Sequence, residues 1–518
     1  MAVHDVEVAI VGAGFGGIGA TARLREAGID DVVLLERSSD VGGTWSANTY
    51  PGCQCDVPSN LYSFSFARKP DWTHSYPEQP QILDYLHDCA RRFGVLERTR
   101  LGCELVDAAW DEDARRWLIE TSDGPLRARF LIAATGLLSE PSIPRVPGSE
   151  RFAGTAFHSA RWDHGHDLTG ERVAVVGTGA SAIQIVPRIQ PRVGRLYVVQ
   201  RTPPWVLPHA DREVGEWLRR LYASSPAAQR AARWGVYWLR ETLGAGFTGF
   251  KPVLWGIEAS ARIQLRRQVP DPELRRRLTP GYAVGCKRLL LSDDWYPALQ
   301  QPNVEVVSDR LEAIGERSMR FADGSEREVD TIVWATGFSP TDPPIARRVR
   351  GSDGRTLSEV WAAGGTRAYL GTSVAGFPNM FMLWGPNTNL AHTSVVFMIE
   401  AQLNHVVGAV EAVRGHDRGA AEVRREAQDA WNADVQRRLA GSVWNTGGCA
   451  SWYLDSSGDN PIMWPGQTFT FWQRTHRFRA ADYALRDGTP TAAAASVADS
   501  RQDGVASQIR SHALEQEA

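Results

Sequence analysis

Long apolar runs are absent from this sequence. None of its 518 residues belongs to a stretch approaching eighteen uninterrupted apolar positions, so no membrane-spanning helix is expected. The chain does not open on a basic segment, an apolar core and a cleavage site, and the reading is of a cytoplasmic protein. Charge of one sign is also scarce. A net of −3 gives no general attraction to nucleic acid or to an anionic surface, although a total leaves local basic patches open. Cysteine is sparse and unframed. Cys53, Cys55, Cys89, Cys103, Cys286 and Cys449 are scattered, and the expectation is of incidental thiols in a reducing compartment. Only Cys53 and Cys55 are close, and C-x-C without a second pair is a poor metal signal, so no metal is expected. No two cysteines stand at C-x-x-C or C-x-x-x-x-C spacing, which argues against a disulfide reductase.

What is present is a duplicated strand–glycine turn–helix–strand pattern. The first copy reads VEVAIVGAG, FGGIGATARLREAG and DVVLLER; the second, from Arg172, reads RVAVVGTG, ASAIQIVPRI and GRLYVVQR. Apolar strands of this kind fit parallel sheets covered on both faces. Gly12, Gly14 and Gly17 make a G-x-G-x-x-G fingerprint that permits a tight turn and close approach of a pyrophosphate. Nineteen residues past Gly17 stands Glu36, a carboxylate suited to ribose hydroxyls and repellent to a 2′-phosphate. Gly177, Gly179 and Ala182 form the second fingerprint, and nineteen residues past Ala182 stands Arg201, not an acid. A guanidinium there pairs with a 2′-phosphate, with Thr202 as a hydroxyl neighbour, which predicts NADPH at the second site and FAD at the first. Two further strands, RARFLIAATG and REVDTIVWATGF, both end in Ala-Thr-Gly, whose small residues let backbone approach a dinucleotide. FAD beside NADPH means hydride transfer between them.

Between the fingerprints lies FAGTAFHSARWD, with Phe152, Gly154, His158, Trp162 and Asp163 at the positions of F-x-G-x-x-x-H-x-x-x-W-D. A second pattern, GGTWSANTYPGCQCD, runs from Gly42 to Asp56. On these two motifs the chain resembles the class B flavoprotein monooxygenases and, within them, the Baeyer–Villiger monooxygenases, up to about Arg479. The resemblance implies that reduced FAD takes up O2 as a C4a-peroxyflavin, which attacks a ketone to give an ester or lactone. It assigns Arg288, in GCKRLLLSDDWY, as the catalytic arginine and Asp56 as its partner carboxylate. It places Thr44, Trp45, Tyr62, Thr135, Gly136 and Asn387 around the flavin, Lys287 at the NADPH phosphate and Trp452 near the nicotinamide. His158 receives a conformational or linking role between domains. The chain departs from some members at Gln54, often Arg, and at Leu137, often Gln. Its C-terminal SWYLDSSGDNPIMWPGQTFTFWQR is similar to the branch that includes 4-hydroxyacetophenone monooxygenase-like enzymes, which favours aryl or long-chain ketones.

The expected fold is α/β, with two Rossmann-like dinucleotide-binding domains and a helical insertion in the second. FAD-binding parts are expected at 1–141 and 378–486, NADPH-binding parts at 142–202 and 286–377, and the Arg- and Trp-rich insertion at 203–285. The insertion either roofs the active site or serves as a packing subdomain with solvated arginine faces. A weakly ordered tail is expected at 487–518. The partners expected are a small-molecule ketone and O2, in a monomer or homodimer. Rival readings are a flavin-containing N- or S-oxygenase, and a flavin redox sensor with no organic substrate.

Overall fold

The apolar run after the N-terminus forms strand His4–Val11, and Val8, Ala9 and Ile10 are fully buried because both faces are covered. A computed structural model describes residues 4–415, 419–449, 451–455 and 457–486; the tail expected from 487 lies outside them. Strand His4–Val11 lies parallel to Val32–Glu36 on one side and to Gly124–Ala133 on the other. Helix α1 (Phe15–Glu26) makes the crossover. The first sheet runs Val349–Arg350, Leu105–Asp111, Arg116–Thr121, Gly124–Ala133, His4–Val11, Val32–Glu36, Thr99–Leu101, and Met380–Met382 also pairs with Gly124–Ala133. The chain therefore returns to this sheet from late in the sequence, first at Val349–Arg350.

The second sheet repeats the plan with five parallel strands, ordered Val304–Val307, Arg195–Val199, Arg172–Val176, Thr331–Trp334, Thr155–His158. Its fingerprint opens helix α2 (Ala180–Ile189). Both Ala-Thr-Gly strands sit beside a fingerprint strand, and both do the same thing. Gly12 has φ +102°, and a Cβ on it would lie 2.6 Å from the Ala134 carbonyl oxygen. Gly177 has φ +116°, and a Cβ there would lie 2.3 Å from the Ala335 oxygen. The small residues first let two backbones touch, and that contact shapes the turn.

The insertion begins after Val206–Leu207, which pairs in parallel with Leu290–Leu291. Between these short strands lie α3 (Glu216–Ser224), α4 (Pro226–Phe247), α5 (Lys251–Gln268) and α6 (Pro272–Arg277). On α4, Tyr237, Glu241, Gly244 and Phe247 are buried at helical spacing, so one face of the helix is turned inward. Helix α7 (Val395–Arg414) is long and apolar enough to cross a membrane by length and composition, yet more than half of it is buried inside the protein. It packs on α1 and on α8 (Thr468–Thr475), which accounts for its hydropathy.

One expectation is overturned. Cys286 and Cys449 are joined by a disulfide, their Cα atoms 6.2 Å apart, whereas both were read as thiols. They are separated by 163 residues in sequence, so no local spacing announces the pair. Cys53, Cys55, Cys89 and Cys103 are free and buried, as expected.

The glycines of the second fingerprint separate folding from binding. Gly177→Ala should cost about 1–3 kcal/mol, because it meets backbone at a left-handed φ. Gly179→Ala should leave stability nearly unchanged, since nothing lies within 4 Å of its Cβ position, while weakening dinucleotide binding. Denaturant unfolding and cofactor titration of both variants check this.

Candidate active site

Each fingerprint glycine loop ends in a helix whose first turn has no side-chain cap: Gly14 precedes α1 and Gly179 precedes α2. Their leading amides are left for phosphate oxygens. In the first unit Gly43 packs against this loop, its Cβ position 2.9 Å from the Gly14 Cα, and Thr44 and Trp45 begin a helical turn there. Trp45 donates Nε1–H to the Tyr62 hydroxyl at 3.0 Å, and both are buried. Glu36 lies at the end of its strand, with Ala13 N–H donating to Oε2 at 2.8 Å and Ser38 N–H to Oε1 at 2.9 Å. A carboxylate has about four acceptor sites, so ribose hydroxyls remain possible partners. Thr135 and Gly136 follow the strand that presses Ala134 on Gly12. Asn387 adopts φ +58° and is buried; its amide donates to the Asn460 and Met463 carbonyls. Its Oδ1 has no partner within the chain, as a side chain that answers a ligand would. The glycine cradle and this orphaned oxygen fit a flavin dinucleotide.

In the second unit Arg201 follows strand Arg195–Val199, exposed, and Thr178 donates its hydroxyl to the neighbouring Thr202 carbonyl at 3.0 Å. Ala182 is fully buried at the third fingerprint position. Burial, and then the like charge of Arg201, push the Lys287 ammonium below its ordinary pKa. The two cations named from separate stretches of sequence therefore lie near enough to feel each other's charge, an arrangement that suits a phosphate.

Lys287 is followed by Arg288, whose Nε donates to Asp56 Oδ2 at 2.8 Å and whose Nη2 donates to Oδ1 at 2.7 Å. Nη1 donates to the Leu390 carbonyl at 2.8 Å. A guanidinium carries five N–H donors, so the three bonds leave two free to act. Roughly a third of each side chain is exposed, 32% for Arg288 and 29% for Asp56. Burial opposes both charges, but the pairing prevails: Asp56 lies below the ordinary carboxylate value, with Arg240 adding to the effect of Arg288, and Arg288 lies above its own. Burial raises the nearby Tyr453 phenol to about 12, so it stays neutral and leaves the guanidinium charge in place.

The residues of F-x-G-x-x-x-H-x-x-x-W-D lie elsewhere. His158 ends strand Thr155–His158, buried; its Nδ1 accepts from Ala160 N–H at 3.1 Å, so Nε2 carries the proton and donates to the Gly337 carbonyl at 3.0 Å. Burial lowers its pKa, which keeps it neutral. Gly154 lies tight against Asp330 and the Phe152 ring. Trp162 stands edge-on to Phe157 at 5.1 Å, and Asp163 closes an exposed turn through Gly165 N–H. Just beyond, His164 Nε2 bonds the Thr49 hydroxyl of the first unit at 2.7 Å. Trp452 is 45% exposed beside Tyr453.

Several contacts escape sequence reasoning. Gln184 on α2 clamps the YPGCQCD loop: its Oε1 accepts from the Tyr50 hydroxyl at 2.9 Å and its Nε2 donates to the Gln54 carbonyl at 2.9 Å. Gln54, a departure from the family pattern, donates to Asp211 at 2.9 Å and the Tyr76 carbonyl at 3.0 Å. Leu137, the other departure, lines a small cleft with Thr135, Gly136 and Trp384. Glu241 of α4 is buried, accepts from Thr468 N–H at 3.1 Å and lies 3.4 Å from His392 Nε2, two residues past the carbonyl that holds Arg288. None of these has a local signature, because each works through a partner far away in sequence. Helix α4 of the insertion supplies Arg240, whose charge acts on Asp56, and Glu241.

Comparison with known proteins agrees with this geometry. The family described as pyridine nucleotide-disulphide oxidoreductase matches residues 9–222. A Baeyer-Villiger monooxygenase of Streptomyces coelicolor is 48% identical over 499 residues, covering 96% of both chains. Another of Pseudomonas aeruginosa is 44% identical over 506 residues, 97% of this chain and 96% of that one. Among solved structures, cyclohexanone monooxygenase from Rhodococcus sp. Phi1 bound to NADP+ superposes with TM-score 0.84 at 26% identity, covering 94% of this chain and 100% of that one. An oxidized steroid monooxygenase bound to NADP gives TM-score 0.81 at 30% identity, with 94% and 100% covered.

Because Asp56 is depressed in the folded state, its stabilisation is fully present above about pH 4 and is lost as pH falls through the folded value. Asp56→Asn should therefore cost about 1–3 kcal/mol at neutral pH, and the deficit should close in acid. Denaturant titrations at two pH values test it; a pH-independent deficit would contradict the pairing.

Proposed function

Since the chain belongs to the Baeyer–Villiger monooxygenases, enzymes that use FAD and NADPH to insert one atom of O2 beside a ketone carbonyl, we propose that Arg288 and Asp56 are its catalytic pair. The observation that carries this reading is the bidentate bond that pins one edge of Arg288 and leaves two N–H groups unspent. Reduced FAD, when bound, supplies the oxygen chemistry. Arg288 holds a fixed positive charge where negative charge develops on oxygen, and an arginine keeps that charge at any useful pH. Asp56 orients the guanidinium, and Leu390 and Arg240 complete its frame.

Arg201 and Lys287 bind the 2′-phosphate of NADPH, with Thr202 beside them and Trp452 towards the nicotinamide. Gly12, Gly14, Gly17, Glu36, Thr44, Trp45, Tyr62, Thr135, Gly136 and Asn387 hold FAD. The first sheet and the C-terminal return form the FAD unit, the second sheet the NADPH unit, and His158 with its motif serves the joint between them. The substrate is a ketone, aryl or long-chain by the C-terminal pattern, and sulfides are accessible to the same chemistry. The protein acts in the cytoplasm as a monomer or homodimer.

Arg288→Ala should abolish ester formation while NADPH still reduces the flavin; stopped-flow reduction and product chromatography check this, and ester at the parent rate would refute the assignment. Arg201→Ala should raise the KM for NADPH about tenfold or more and leave NADH use nearly unchanged. Equal losses with both nucleotides would sink the phosphate assignment.

A further inference from the structure

We propose that the outer side of the helical insertion is a docking face for an anionic lipid surface. Eight of the sixteen exposed large hydrophobic side chains among the described residues fall on α3, α4, α5 and the turn between α4 and α5. They include Trp217 at 70% exposure, Trp255 at 64%, Trp238 at 51% and Trp234 at 45%. Such a concentration of exposed tryptophan on one segment is unusual for a face bathed only in water. On α5, Trp255 and Ile263 are exposed eight residues apart and so share a side of the helix. On α4, Trp234 and Trp238 stack with ring centres 6.5 Å apart, while Tyr237 and Glu241 turn inward.

Charge selects the occupant. Residues 203–285 hold thirteen Lys and Arg against seven Asp and Glu, a net of +6 within a chain of net −3. Arg262, Arg266, Arg275 and Arg276 line a depression of about 210 Å³ where α5 meets α6. Arg262 and Arg276 pair with Glu258 and Glu273, and Arg275 donates to the Val269 and Pro270 carbonyls. Arg266, with Arg267 beside it, is exposed on α5. The exposed guanidinium groups of Arg266 and Arg267 at the rim of this depression suit a phosphate headgroup. Tryptophan and arginine together are the side chains that settle at the headgroup level, rings at the acyl boundary and charge in the polar layer. A second copy fits poorly, since a two-fold contact would set one basic face against the other. Nucleic acid fits the charge but gives no partner to the exposed Leu221, Leu239, Phe250 and Ile263. The docking is peripheral, since the apolar α7 is committed to the core.

The test is flotation of the FAD-loaded full chain with vesicles of phosphatidylcholine alone and of phosphatidylcholine with one-third phosphatidylglycerol. The protein should float with the anionic vesicles, remain behind with the neutral ones, and detach partly in high salt. Trp234→Ser/Trp238→Ser/Trp255→Ser and Arg266→Glu/Arg267→Glu should each lower the floated fraction by about fivefold or more. Ketone-dependent NADPH oxidation in vesicle-free buffer should be unchanged in both variants. Failure of the parent protein to float with anionic vesicles would overturn the proposal, as would variants that float equally well. A concentration-dependent dimer dissolved by the tryptophan substitutions, without vesicle binding, would assign the face to a second copy. A duplex-DNA complex lost in the arginine variant, again without vesicle binding, would assign it to nucleic acid.

Discussion

A doubly bonded arginine–aspartate pair joins residues 232 positions apart, and the rest of the site is arranged to make that join possible. Asp56 arrives on the loop that follows the first fingerprint's packing partner, Gly42–Gly43. Arg288 arrives on the segment that leaves the insertion, two residues before strand Leu290–Leu291. Neither charge is comfortable on its own at this degree of burial, and each is stabilised by the other. The pair needs both units in place, so Gln184, which ties α2 to the Asp56 loop, and α4, which brings Arg240, act on chemistry they do not touch.

How much of this can be read from sequence depends on the range of the geometry. A fingerprint turn is local: strand, glycines, helix and the residue nineteen positions on lie in one βαβ unit, so Glu36 and Arg201 reveal the two nucleotides. Arg288 and Asp56 lack that locality, and only their resemblance to family motifs singles them out. The Ala-Thr-Gly strands were legible as a rhyme but not in their first role, which is backbone contact at Gly12 and Gly177. Cys286–Cys449, Gln184 with Gln54, and Glu241 with His392 were beyond reach. Each depends on two stretches brought together by tertiary packing, and nothing in either stretch names its partner.

The motif between the fingerprints shows how a diagnostic stretch can be remote from chemistry. Phe152, Gly154 and His158 fasten a strand edge and its following loop, and the ring of His158 is neutral and occupied at both nitrogens. Just beyond them, Thr49 and His164 meet across the units.

The interleaved sheet order also imposes a schedule on synthesis. The second sheet is complete once strand Thr331–Trp334 has been made, since all its strands lie upstream. The first sheet must wait for Met380–Met382, and α1 waits longer still for α7 to cover it. On the ribosome, the second unit can therefore close while Gly124–Ala133 still lacks Met380–Met382 and α1 still lacks α7. The side of α1 that α7 covers is thus still open when the second sheet closes, and the nascent chain depends on shielding there until its last third has emerged.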